Sequence, residues 1–173
     1  MKQLYLFLLA LSLTPVMAAA QDAESVEINE TNFPDAKFRD YLTKWVAYES
    51  PGVLTEKKLR TTSMDITNKG IKSLKGIEFF TNLDSLVCGM NQLESIDLSG
   101  NTRLQFLDVS KNKLQTLDLE PCADLRYLKC SGNQFETIDL SHSKALRRLD
   151  CSSNKMVSLS LAANDALDSL ACF

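Results

Sequence analysis

Cys88, Cys130, Cys151 and Cys172 lie 42, 21 and 21 residues apart, and Val109 fills the skipped step. Thiols at fixed spacing could close disulfides or hold a soft metal. A valine within the series instead marks a slot that wants a small apolar side chain, and free cysteine is one. Cys122 stands outside that series; it is the thiol expected to react, or to pair with another chain. Asp97, Asp118 and Asp139 form a second row at the same step, broken by Ser160. Stacked carboxylates repel unless solvent or a cation screens them. No further oxygen ligands recur beside them, so turn formation is expected rather than a calcium ladder. The one histidine, His142, fills a step otherwise held by Gly100, Pro121 and Ala163, which marks a tolerant surface position. No G-x-S-x-G, H-E-x-x-H, glycine-rich phosphate loop or C-x-x-C occurs. The chain is therefore expected not to be an enzyme and to need no cofactor or metal.

What positions these residues is a repeat. "LQFLDVSKNKLQTLDLEPCAD", "LRYLKCSGNQFETIDLSHSKA" and "LRRLDCSSNKMVSLSLAANDA" follow one another from Leu104 to Ala166, each 21 residues long. Counting from the first leucine, position 1 is Leu83, Leu104, Leu125, Leu146 and Leu167. Position 4 is Leu86, Leu107, Leu128, Leu149 and Leu170; position 6 is the cysteine–valine series. Position 9 is Asn91, Asn112, Asn133 and Asn154, and position 11 is Leu93, Leu114, Phe135 and Met156. Positions 14 and 16 are apolar throughout, from Ile96 and Leu98 to Leu159 and Leu161. Alternation at 4 and 6 predicts a short strand with one buried face. No unit buries that face alone, so the units stack and their strands make one parallel sheet. The asparagine ends the strand, its amide satisfying backbone groups in the turn. Positions 14 and 16 line the opposite wall, in extended or 3₁₀ structure, because no room is left for a long helix. Met64, Ile66, Ile71 and Leu74 make an irregular first unit, shifted by 22 residues, with Lys69 in place of the asparagine.

The pattern L-x-x-L-x-[LCV]-x-x-N-x-L-x-x-L-x-L resembles the leucine-rich repeat family, in four full copies and one partial copy. The C-x-x-N form resembles the repeats of secreted and surface proteins of Bacteroides-type bacteria. "GIKSLKGIEFFTNL", Gly70 to Leu83, resembles the first repeat of internalin-type proteins. The resemblance covers residues 28–173. It implies an α/β fold: a short solenoid with a parallel sheet on its concave face, preceded by a small helical cap.

Ahead of the repeats, Phe38, Tyr41, Leu42, Trp45 and Val46 are spaced as one stripe of an amphipathic helix, with Pro34 in its first turn. Thr55 is placed to cap a second short helix running to about Arg60. Between them "AYESPGVLTEKKL" looks like a decayed EF-hand loop, with Gly52 where the invariant glycine would stand. Ala47, Pro51 and Lys58 fall on ligand positions and only Glu49 remains, against the six to eight oxygens calcium needs. A helix–loop–helix cap over the first repeat is expected. The divisions are then a leader over 1–20, the cap over 21–60 and the repeats over 61–173.

The leader reading rests on Lys2, an apolar run from Leu4 to Leu13, and Ala18 and Ala20 before Gln21. The run is too short to span a bilayer. A cleaved signal peptide of this kind implies a secreted, periplasmic or cell-surface protein. Losing Lys2 takes the formal charge from −3 to −4. A mildly acidic chain without a basic cluster is a poor match for nucleic acid or an anionic membrane.

With the frame occupied by packing, function falls to the free positions. Position 3 carries Phe106, Tyr127 and Arg148, and position 5 carries Asp108, Lys129 and Asp150. Both point outward onto the concave face. Aromatics and arginine are enriched in binding hot spots, whereas the alternating charges are expected to pair laterally across strands. These six residues are the expected site for an extracellular protein or glycan. The competing reading is a structural spacer. The sequence stops at "LDSLACF", half-way through a unit, which leaves three expectations: Phe173 folds over the core, the edge meets a second copy, or the chain is a shortened relative of a longer repeat protein.

Overall fold

The computed structural model describes residues 25–46 and 49–172. The leader over 1–20, Ala47 and Phe173 lie outside the described residues, as does the side chain of Val46. A two-residue strand β1 (Val26–Glu27) leads into helix α1 (Ala36–Val46), strand β2 (Val53–Leu54) and helix α2 (Glu56–Leu59). Strands β1 and β2 pair antiparallel, a contact the sequence pattern did not announce. Six three-residue strands follow: β3 (Ser63–Asp65), β4 (Ser85–Val87), β5 (Phe106–Asp108), β6 (Tyr127–Lys129), β7 (Arg148–Asp150) and β8 (Ser169–Ala171). They lie in sequence order in one parallel sheet, and position 4 always faces position 4.

A three-residue strand has little to hold it alone, so its stability comes from what stacks behind it. Leu104, Leu107, Val109 and Leu114 are fully buried, and Leu117 and Leu119 close the far wall. Between Asp108 and the next strand the chain runs in turns and extended segments. The one 3₁₀ helix among the described residues is Ile77–Phe79, in the irregular first unit.

Each position-9 asparagine reaches beyond its own turn. Asn133 Nδ2 donates to the Cys130 carbonyl of its own strand end and to the Val109 carbonyl of the preceding one. Its Oδ1 accepts the Leu114 N–H, again from the preceding unit. Asn112 repeats this with Cys88, Val109 and Leu93. Asn91 does so with Ile66 and Cys88, and accepts from both Lys69 and Ile71. One side chain therefore bonds three to five backbone groups that burial would otherwise orphan.

Position 8 of each turn takes left-handed backbone: Met90, Lys111, Gly132 and Ser153 have φ of 57°, 52°, 68° and 53°. Only Gly132 is suited to it, and each L-residue there costs about 1–2 kcal/mol. The stacked turns impose the conformation regardless of residue type.

The N-terminal helices join the same core. Phe38 and Leu42 are fully buried, and Tyr41 and Trp45 pack against the cluster from its edge. Phe33 meets Phe79 edge-on at 5.7 Å, and Trp45 lies 6.1 Å from Phe80. The cap of α1 is Asp35. Its Oδ1 accepts the N–H groups of Lys37 and Phe38, and its Oδ2 accepts those of Lys72 and Ser73 in the first repeat. Thr55 precedes α2 as expected, but its hydroxyl makes no capping bond. Glu49, the one candidate calcium ligand, lies 3.6 Å from both Lys57 and Lys58. Its carboxylate faces these two cations.

Asn133→Ala should lower stability by about 1–3 kcal/mol for the polar groups it strands, read as a shift of the urea midpoint at unchanged slope. Asp35 gives a pH-dependent counterpart. Partial burial pushes its carboxyl up, but the N–H groups of Lys72, Phe38, Ser73 and Lys37 outweigh it, leaving the pKa below the ordinary 3.8. Its stabilisation is full above that value and lost as pH falls through it toward the folded pKa. Urea midpoints of wild type and Asp35→Ala should differ at pH 7 and converge as the pH is lowered from 4 towards 3.

Candidate functional site

Successive residues of a strand point to opposite faces, so burying Leu107, Leu128 and Leu149 turns their neighbours onto the open face. Phe106 and Tyr127 are half-buried there, and Lys129 and Arg148 are exposed. The rings of Phe106 and Tyr127 are 6.1 Å apart at 33°. The Arg148 guanidinium sits 5.5 Å from the Tyr127 centroid, and Lys129 Nζ 5.8 Å from that of Phe106. Register brings these residues together: Phe106 opposes Tyr127, and Tyr127 opposes Arg148. Cation and ring attract through the ring quadrupole, by about 0.5–1 kcal/mol at exposed sites. Together with Asp150 and Ser169 they line a groove of about 470 Å³.

The expected lateral pairing of Asp108, Lys129 and Asp150 does not form. Asp108 Oδ1 accepts both the N–H and the hydroxyl of Ser110, the latter at 2.6 Å, and Asp150 does the same with Ser152. A short side chain two residues away costs less ordering than a long lysine across the sheet, so the local bond prevails. Partial burial raises the Asp150 carboxyl, but the Ser152 hydroxyl and N–H, the Ser131 hydroxyl and Lys129 hold it below its ordinary range. Both aspartates terminate their strands, and Lys129 is left to the Phe106 ring.

On the convex side, Asp97, Asp118 and Asp139 each accept the backbone N–H two residues on, from Ser99, Glu120 and Ser141. They are turn formers, as expected. His142 is exposed, with Nδ1 3.2 Å from the Ser141 hydroxyl. Among the described residues no cluster of His, Cys, Asp or Glu could hold a metal ion.

The expectation for Cys122 is overturned. It is fully buried, with Sγ 3.8 Å from the Asn101 carbonyl. Burial first, then the Asp118 charge, pushes its thiol up to about 11. Cys122 belongs to a second inter-repeat column at position 19, with Asn101, Ser143 and Asn164, all buried. Asn101 donates to the Ile77 and Phe80 carbonyls and Asn164 to those of Leu140 and Ser143, each in the preceding unit. Because asparagine, cysteine and serine share the column, no single residue type marked it. The position-6 thiols Cys88, Cys130 and Cys151 are buried, as their spacing predicted, but Cys172, just past the last described strand, is exposed, against the same expectation.

No protein-family model matches the chain. Internalin J of Listeria monocytogenes serotype 4b (strain F2365) is 35% identical over 71 residues, 40% of this chain and 8% of that protein. The solved functional domain of Listeria monocytogenes InlJ, described as including a cysteine ladder, aligns with 88% of this chain and 44% of its own. Its TM-score is 0.58 at 27% identity. The fold is that of an internalin leucine-rich-repeat solenoid. The 1.91 Å crystal structure of the internalin InlF from the same organism agrees in fold, with TM-score 0.62 and 21% identity over 83% of this chain and 57% of its own. This internalin-like chain thus spans less than two thirds of each relative. Among its described residues no helix is long and apolar enough to cross a membrane.

Burial and the raised pKa predict that Cys122 resists alkylation by iodoacetamide in native protein at pH 8 and reacts fully in urea. Rapid native labelling, located by peptide mass spectrometry, would contradict the placement of Cys122 in the core.

Proposed function

We propose that this chain is a non-catalytic extracellular binding module that recognises a protein or glycan through its concave sheet. The reading is carried by one observation: Phe106, Tyr127, Lys129 and Arg148 form an assembled aromatic–cation cluster over a groove, at positions the solenoid frame leaves free. Aromatics and arginine held in place by neighbours present contact area without having to be ordered on binding. Solenoids commonly use such concave surfaces for recognition. The proposal includes the leader over 1–20, and with it secretion or surface display by a bacterium, followed by a helical cap over 21–60 and repeats over 61–173. Asp108 and Asp150 contribute by holding the strand ends in shape beside the cluster.

The test is capture of extracellular proteins and glycans on the immobilised chain, comparing wild type with Phe106→Ala/Tyr127→Ala/Arg148→Ala. A partner retained by wild type and reduced at least tenfold by the variant, at unchanged melting temperature, supports the reading. Equal capture would favour a structural module, with exposed Leu170 on β8 as the place to look for contact with a second copy.

A further inference from the structure

One face of each aromatic ring in the groove already carries a cation. Each of Phe106 and Tyr127 carries a cation against it and has the other ring as neighbour. A pyranose stacking on that face would have to displace its cation, whereas an anion meets both the cations and the positive ring edge. Charge points the same way. The N–H groups of Arg147 and Arg148 both donate to the Arg126 carbonyl, so three arginines leave the backbone side by side on two adjacent rungs of the sheet. Among the described residues, Arg126 and Lys129 have no ion-pair partner, and Arg147 and Arg148 share Asp168 at 4.0 and 3.9 Å. The carboxylates of Asp108 and Asp150, the latter lining the groove, accept from the neutral hydroxyls of Ser110 and Ser152 and keep their charge. Four cations thus outnumber three carboxylates, Asp108, Asp150 and Asp168, around a groove whose floor is sheet backbone at the core-facing Leu128 and Leu149, beside Ala171.

We infer that the groove takes an acidic segment of a partner protein, an aspartate or glutamate beside an apolar residue. Its carboxylate meets Arg126 and Arg148, and the apolar side chain lies against the ring edges. Guanidinium offers carboxylate a two-pronged, charge-assisted pairing, and an arginine already resting on a ring has less freedom to lose. This rests on the concave-face reading and narrows it to one partner chemistry.

A displayed library of random dodecamer peptides is selected on the wild-type chain and counter-selected on Phe106→Ala/Tyr127→Ala/Arg148→Ala. Enriched sequences should carry Asp or Glu next to an apolar residue. A synthetic peptide of the leading sequence should bind about tenfold more weakly after its own acid-to-amide change, and similarly to Arg126→Gln. Raising the salt should weaken it further. Oligogalacturonate, an acidic glycan, serves as the competing probe, and tighter binding of it than of the peptide would overturn the inference. Enrichment of neutral peptides that still need Phe106 and Tyr127 would overturn the carboxylate assignment and leave the concave-face reading standing. Equal enrichment on wild type and triple variant would overturn both.

Discussion

The amide of one asparagine per turn is the interaction on which the rest of the structure depends. Strands of three residues bury too little to persist alone. Asn112 and Asn133 tie the end of each strand to the end of the one before and take an N–H from the preceding unit. A carbonyl in a buried turn has nowhere else to bond, and leaving it unpaired costs more than the bond gains. The amide, with two donors and an acceptor on one short stem, suits the task where a hydroxyl or carboxylate would not. Stacking then follows, the leucines close over one another, and position 8 is held in left-handed backbone whether it carries glycine, lysine or methionine.

That coupling explains why the outer face is free to vary. The core column needs leucine and small apolar residues at fixed steps; the outward positions need only be compatible with a strand. Phe106, Tyr127 and Arg148 share position 3 on neighbouring rungs because the repeat is in register, and register alone makes a cluster from residues 21 apart in sequence. Asp35 extends the same logic to the N-terminal end, where one carboxylate closes a helix and grips the first repeat.

Most of this architecture was legible because a hydrophobic period of 21 repeats in phase, and a buried slot tolerates few residue types. Cys88, Val109 and Cys130 declare a small apolar slot by their interchangeability. What stayed hidden has a common cause: positions where geometry is imposed by neighbours admit many side chains. The left-handed residue shows itself only at Gly132. The second column, Asn101–Cys122–Ser143–Asn164, hides because each side chain, where it bonds, reaches the same preceding backbone with different chemistry, and Cys122 thereby passes for a reactive thiol. The lateral pairing of Asp108 with Lys129 was a sound electrostatic expectation, but a serine hydroxyl two residues away is closer and costs less to order. On the candidate site, the sequence placed the six side chains on one face but not their internal stacking, because ring–cation contacts depend on side-chain rotamers as well as strand register.

The most direct test of this account is amide hydrogen exchange on Asn112→Ala. If the asparagine couples adjacent turns, protection should fall at Leu93, whose N–H it accepts, and at amides of β4 and β5 on either side, together and by a similar factor. Loss of protection confined to residues 110–113, with Leu93 and the flanking strands unchanged, would contradict the claim that these side chains hold the solenoid together.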